Sequence, residues 1–385
     1  MWNSKNLNSI LQKALGVGFV ICTFSLYSQM EVPGSKADSL FESGNFSAAI
    51  NAYAANNDLY SQERIARAYR ALGNYGKATD QYEYLVGRFP ANLEFKHALA
   101  SLLYKTRAYE RSVAVYDSLL LSDTLNPGPW YQHGLALKKM RRDSMAGKSF
   151  FRAYQLDSSH VKSIIELGEY YLKRRQLDSA HFFAERGLAI APEHAELLNI
   201  KALAWYNDHQ YRQSIPYFER LIASNYNEFY IVASLGHAYT ENWQKEEAFE
   251  LYKKFLPVYN DQPEIWYAIG NLYRHERREQ DSADVCFRKA IELKQTDLSR
   301  EYVALAGLKR EQNRLSEAYE YYQQAFEDDS DNMLIMYNIC ELTDQLYRDQ
   351  DIKKSCYEKF LELFSQKNYG RRYVRRVKER VAALE

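Results

Sequence analysis

Glycine and proline are scarce in this chain, at 16 and 8 of 385 residues. With so few helix breakers, and with Leu, Ala, Tyr, Glu, Lys and Arg prominent, the composition suits helices. Cysteine is scarcer still, at four. No C-x-x-C pair and no Cys/His cluster stands at zinc spacing, which argues against a zinc-held fold, and so few cysteines do not make a disulfide scaffold. A charge excess is missing too. Lys plus Arg is 50 and Asp plus Glu is 50, so no strong field favours nucleic acid or a membrane surface. There is no glycine-rich phosphate loop, no H-E-x-x-H and no G-x-S-x-G. The eight histidines are scattered, at 97, 133, 160, 181, 194, 209, 237 and 275. His194 and Glu196 are close, but Pro192 places them in a turn, where capping or solvation accounts for them. No catalytic residue, metal ligand or cofactor site is assigned.

One apolar run stands out, residues 14–27 (ALGVGFVICTFSLY). Lys5 and Lys13 precede it, and Ser28 and then Gln29 follow. A basic start, a short apolar middle and a small residue at the cut are the order of a secretory signal, so 1–28 is read as a signal peptide. The run is shorter than the roughly 20 apolar residues of a spanning helix. An uncleaved membrane anchor is the alternative. Ile21 before Cys22 does not fit a lipoprotein signal. Cleavage removes two positive charges and leaves a net charge of −2. The mature chain is expected to be periplasmic or outer-membrane associated, with secretion open. Cys286, Cys340 and Cys356 then remain; the last two fall on the two helices of one expected hairpin, as buried free thiols or, in an oxidising compartment, as a disulfide.

The dominant feature is a repeat. Small residues recur at Ala66, Ala100, Gly134, Gly168, Ala202, Gly236, Gly270, Ala306 and Cys340. Their spacing is 34 up to Gly270, then 36, then 34. A second register runs alongside: Tyr75, Ala78, Tyr82, Leu85 and Pro90 return in kind as Tyr211, Ser214, Phe218 and Leu221, and as Leu315, Ala318, Tyr322 and Ala325. Each unit reads as two short helices whose apolar stripes are buried only when neighbours stack. The small residues are expected to let the two helix backbones approach. Tyr, Phe and Leu then fill the space against the next unit.

These details resemble the tetratricopeptide repeat (TPR) family over nearly the whole mature chain. Gly134, Gly168, Gly236 and Gly270 match the family's small residue on the first helix, and Leu167, Leu235 and Ile269 precede three of them. Tyr69, Tyr171, Tyr239 and Tyr273 stand at its aromatic position, and Trp130 and Trp266 at its early tryptophan. Ala78, Ala146, Ala180, Ala248, Ala283 and Ala318 match the second helix's small residue, and Pro90 and Pro192 the closing proline. Gly44, Phe46, Ala49 and Tyr53 suggest one earlier copy. The resemblance implies an all-α fold, a right-handed superhelical solenoid of about ten helix-turn-helix repeats over 29–365. Residues 366–385 follow as a basic amphipathic C-terminal helix. There Tyr373, Val374, Val377, Val381 and Leu384 share one side, and Arg371, Arg372, Arg375, Arg376, Lys378 and Arg380 the other. That helix reads as a cap for the open end, or as a basic docking site for acidic partners or anionic headgroups. Departures from the register occur at 122–127 and 260–263, where longer linkers carry prolines that block helix continuation, and at Gln280–Asp281 and 347–351.

Repeats of about 34 residues consume some 340 of the chain, leaving no stretch for a catalytic domain, and an enzyme is not expected. The resemblance implies binding on a concave face lined by first helices. Projected onto this chain, that face carries Tyr60, Arg67, Tyr104, Tyr131, Lys138, Glu169, Tyr206, Tyr230, His237, Tyr267, Asn271 and Arg274. Tyr and Arg bury large area and still hydrogen-bond, as binding hot spots do. The expected function is a non-catalytic protein-protein interaction scaffold of the bacterial envelope, taking a peptide or protein segment in the groove. The alternative is a carbohydrate- or cell-wall-binding accessory protein using groove tyrosines as stacking platforms. Partners are expected to be protein or peptide, without nucleic acid and without an integral span once the signal is removed, with peripheral envelope association open. The family's clamp for a C-terminal carboxylate is not matched, because Ala304 stands where the repeat after Asn271 should offer an amide.

Overall fold

A computed structural model describes residues 35–122 and 125–384. The expected signal segment lies outside the described residues. Among those described there is no strand, and 21 α-helices follow one another. They follow one another in pairs along the chain: α1 (Ser35–Glu42) with α2 (Phe46–Tyr53), α3 (Leu59–Ala71) with α4 (Tyr75–Arg88), and α5 (Leu93–Lys105) with α6 (Tyr109–Leu120). Next come α7 (Pro127–Lys139) with α8 (Asp143–Leu156), then α9 (Val161–Lys173) and α10 (Leu177–Ile190), and α11 (Ala195–Asn207) with α12 (Tyr211–Ala223). The series closes with α13 (Phe229–Glu241) and α14 (Lys245–Phe255), α15 (Pro263–Leu272) and α16 (Gln280–Leu293), α17 (Ser299–Glu311) and α18 (Leu315–Asp328), and α19 (Met333–Leu346) and α20 (Gln350–Phe364). A last helix, α21 (Arg371–Ala382), follows. The chain divides into two compact units, one ending at Tyr170 and one beginning at Tyr171. In the first unit each helix from α1 to α8 packs on the next; in the second the same holds from α10 to α21. No described helix is long and apolar enough to cross a membrane.

One turn is reused between the first and second helices. A residue with positive φ stands there at Gly44, Gly73, Arg107, Arg141, Arg175, His209, Trp243, Arg278 and Asn313. Only two are glycine. At Arg107 the backbone N–H donates to the Tyr104 carbonyl at 3.0 Å, and the next N–H, of Ala108, donates to Leu103 at 2.9 Å. This pair of bonds ties the last carbonyls of the helix to the left-handed turn. Expected breakers turn out to be starters. Pro127 is the first residue of α7, where Asn126 Oδ1 accepts from Gly128 N at 3.0 Å, and Pro263 is the first residue of α15, which has no side-chain cap. A proline at the first helical position gives up an N–H that had no partner anyway. The extra residue of the eighth hairpin is absorbed by a wider π-helical turn, Tyr273–Arg277, at the end of α15.

The core explains the small-residue register. Tyr82, Tyr116, Phe150, Phe218, Tyr252, Phe287 and Tyr322 form a buried aromatic series on the second helices. A Cβ built on Gly134 would lie 2.5 Å from the Phe150 ring, and one on Gly270 2.7 Å from Phe287. At Gly236 it would strike the hydroxyl end of the Tyr252 ring. The small residue therefore makes room for its own hairpin's aromatic ring, not for a backbone, as the sequence alone suggested. Gly236→Ala is expected to lower stability by about 1–3 kcal/mol through overpacking. Denaturant titration followed by circular dichroism reads this as a lower midpoint at unchanged slope.

The C-terminal end is closed by α21. Gly370 (φ +70°) turns the chain into it, and a Cβ at that position would strike Met333. Val377 is buried, and the Tyr373 ring meets Tyr337 edge-on at 4.9 Å. Cys286, Cys340 and Cys356 are all free thiols. Thr343 Oγ1 donates to Cys356 Sγ at 3.7 Å, and burial pushes the Cys286 thiol up to about 11.

Candidate functional site

Within the first unit, the expected face residues are engaged with close neighbours. Tyr60 donates to Asp38 Oδ1 at 2.6 Å and accepts from Arg64 Nε at 2.9 Å, while Arg67 pairs with Glu63 one turn away at 2.5 Å. Tyr104 meets Tyr109 edge-on at 5.6 Å, and Tyr131 meets His160 at 5.3 Å. Lys138 Nζ bridges Glu166 at 2.6 Å and Glu169 at 2.8 Å. Those two carboxylates raise the Lys138 pKa against the opposing effect of burial. Lys138 and Glu169 thus belong to one ion-pair cluster joining α7 to α9.

The second unit brings four of its six expected residues together. Tyr206, His237, Tyr267 and Asn271 line one cavity of about 450 Å³. Its apolar side is made by Phe229, Ala233, Tyr252, Ile265, Ala268 and Leu272. Tyr206 Oη lies 3.1 Å from His237 Nδ1, and the Tyr206 ring is edge-packed on Tyr211 at 5.4 Å. Asn271 donates its side-chain amide to the Tyr267 carbonyl at 3.1 Å. Tyr230 and Arg274 do not line the cavity. The Arg274 guanidinium is taken by Glu311, at 2.6–3.1 Å, and by the Ala304 carbonyl at 3.2 Å.

Other lining residues were not among those expected. Lys245 on the second helix α14 pairs with Glu276 in the π-helical turn at the rim. Arg300, from the next hairpin, lies 4.1 Å above the Tyr267 ring and pairs with Glu301 at 2.9 Å. Both cations that line the cavity are already matched by carboxylates. Lys245 and Glu276 are 31 residues apart, close to the repeat period, which is the sequence signal that ties them to adjacent hairpins.

One constellation has the residue types of a charge relay. His133 Nδ1 lies 3.0 Å from Ser149 Oγ, and His133 Nε2 lies 3.2 Å from Asp117 Oδ1. Yet Ser149 is buried inside α8 and also donates to the Met145 carbonyl at 3.2 Å, out of reach of any substrate. Among the described residues no group of three or more His, Cys, Asp or Glu could hold a metal ion.

The buried histidines carry a pH consequence. Burial lowers the pKa of His133 against the pull of Asp117. Burial, helped by Lys201, does the same to His181, whose ring stands 3.9 Å from Trp205 with both nitrogens unpartnered. A histidine with a depressed folded pKa binds fewer protons in the native than in the unfolded state. Its stabilising contribution is therefore complete above the unfolded value, about 6.5, and declines as pH falls below it. The midpoint of thermal unfolding is expected to be lower at pH 5.5 than at pH 7.5. His181→Gln should remove part of that difference, each histidine contributing at most about 1.4 kcal/mol per pH unit.

Two family models, both described as tetratricopeptide repeat, match residues 64–128 and 263–297. The chain carries tetratricopeptide repeats. The second match spans α15 and α16, the hairpin that carries Tyr267 and Asn271. Solved structures similar to this repeat protein include MamA, at 18% identity over 43% of this chain and 96% of that one, with a TM-score of 0.41. A tetratricopeptide repeat protein from Parabacteroides merdae is 13% identical over 61% and 93% of the two chains, with a TM-score of 0.45. YrrB, described as a TPR protein with an unusual peptide-binding site, is 17% identical over 46% and 92%, with a TM-score of 0.43. No curated protein matches the sequence significantly.

Proposed function

We propose that this tetratricopeptide-repeat protein is a non-catalytic scaffold of the bacterial envelope that holds a polypeptide segment through the cavity of its second unit. The observation that carries the reading is the convergence of Tyr206, His237, Tyr267 and Asn271 on one apolar-walled space of about 450 Å³. Recognition sites of this kind pair a concave apolar lining with a few placed polar groups. The polar groups here are an amide, two imidazoles, hydroxyls and the Glu264 carboxylate, while Lys245 and Arg300 are neutralised by Glu276 and Glu301. Such a lining suits a bulky apolar side chain within a segment better than a free C-terminal carboxylate, which needs an uncommitted cation. Envelope placement rests on the basic, apolar and small-residue order of residues 1–28.

The carbohydrate reading needs flat, accessible ring faces. The Tyr267 face is covered by Arg300 at 4.1 Å, and the Tyr206 ring is edge-packed by Tyr211, Phe218 and His237. These contacts favour the polypeptide. Selection from a displayed random peptide library on the purified protein, run beside a glycan panel, tests the choice. Enriched peptides sharing a bulky apolar residue are expected; glycan binding with no peptide enriched would overturn the proposal.

A further inference from the structure

The chain as a whole carries no net charge, yet α21 holds six basic residues against one acidic, Glu379. Between α17, α19, α20 and α21 lies a cup of about 470 Å³, separate from the cavity described above. Arg310, Lys353, Arg376 and Arg380 line it against Glu341 and Asp344, a surplus of two positive charges. The arrangement is built rather than loose. Arg380 grips Asp344 with two bonds, at 2.7 and 2.8 Å, and Lys353 reaches the same carboxylate at 3.1 Å. Arg310 holds Glu341 at 3.2 Å and Asn338 at 3.0 Å. Those bonds fix three of the four cations around the cup while leaving the surplus unanswered.

The surplus continues outward along α21. Arg371, Arg372, Arg375, Arg376 and Lys378 are exposed, and Glu379 stands 3.8 Å from Arg375. The apolar side of the same helix is spent on the core. Tyr373, Val374, Val377 and Val381 pack on the cluster built around Met336, Cys340 and Phe360. A helix whose apolar stripe is already buried has no face to sink into a bilayer, which interfacial helices require. A recessed cup also admits side chains that a flat lipid surface cannot offer. Guanidinium groups match carboxylates in bidentate geometry.

We propose that the cup and the basic row of α21 form a second docking surface, for an acidic polypeptide segment rich in Glu or Asp. Its attraction is long-ranged and falls as salt screens it. The test is fluorescence anisotropy of a short labelled poly-glutamate peptide with the full chain, at low and at high salt. Binding is expected at low salt and is weakened at least tenfold at high salt. The double variant Arg372→Glu and Arg376→Glu changes exposed side chains and should weaken binding at least tenfold with an unchanged melting curve. Arg376→Gln should weaken it about two- to fivefold. Ala268→Trp, in the other cavity, should leave it unchanged, so failure here is distinct from failure of the proposed function. Equal binding by the charge-reversed variant would overturn the proposal. So would binding to phosphatidylglycerol vesicles with none to poly-glutamate, or a self-association through α21 that the peptide does not compete with.

Discussion

Ala268→Trp is expected to abolish capture of the partner segment while leaving the fold intact. Ala268 is half-buried, on the wall of the cavity and outside the aromatic series of the core. An indole grown from it occupies the space meant for the partner's side chain, and the first helix keeps its own contacts. Removing a central anchor pocket in this way costs a complex at least about 2 kcal/mol, which is a loss of roughly thirtyfold or more in affinity. Titration of a selected peptide against wild type and variant, beside their melting curves, checks both halves of the expectation. Unchanged affinity would move the binding site elsewhere.

Phe287→Ala is expected to cost about 3–5 kcal/mol, the range for truncating a fully buried aromatic residue. Phe287 has no exposed surface; it fills the space left by Gly270 and its ring stands 5.8 Å from Tyr267. Its loss leaves a void beneath the residue that lines the cavity, so partner affinity should fall although no lining residue changes. Because each repeat is held by its neighbours alone, the damage should stay local. Hydrogen exchange is expected to rise in α15 to α18 and to stay near wild type in α11 and α12. Uniform loss of protection along the second unit would instead mean that it unfolds as one body.

Much of this architecture is written in the small-residue register. Gly236 and Gly270 cannot carry a Cβ beside Tyr252 and Phe287, so the period of 34 survives as a steric demand. The left-handed turns are a different matter. Arg107, Arg141, Arg175 and Trp243 take positive φ although nothing in those side chains announces it. Helix-end hydrogen bonds impose the conformation there, and only Gly44 and Gly73 betray the position. The site divides along similar lines. Tyr206, His237, Tyr267 and Asn271 follow from first-helix geometry, because one helix face repeats with the hairpin. Lys245, Glu276 and Arg300 do not, because they arrive from a second helix, a π-helical turn and the following hairpin. Arg274 has the right position for a ligand contact, but Glu311 answers it from the next repeat. Pairing between repeats is fixed by packing, and a period in the sequence does not reveal which charges neutralise one another.

The most direct test is photo-crosslinking in the cell that makes the protein, with a photoreactive phenylalanine analogue placed at Tyr267 in the full chain. The account predicts a discrete polypeptide adduct that disappears when Ala268→Trp is added. Crosslinking that yields no polypeptide adduct from this position, or an adduct indifferent to the filled cavity, would contradict it.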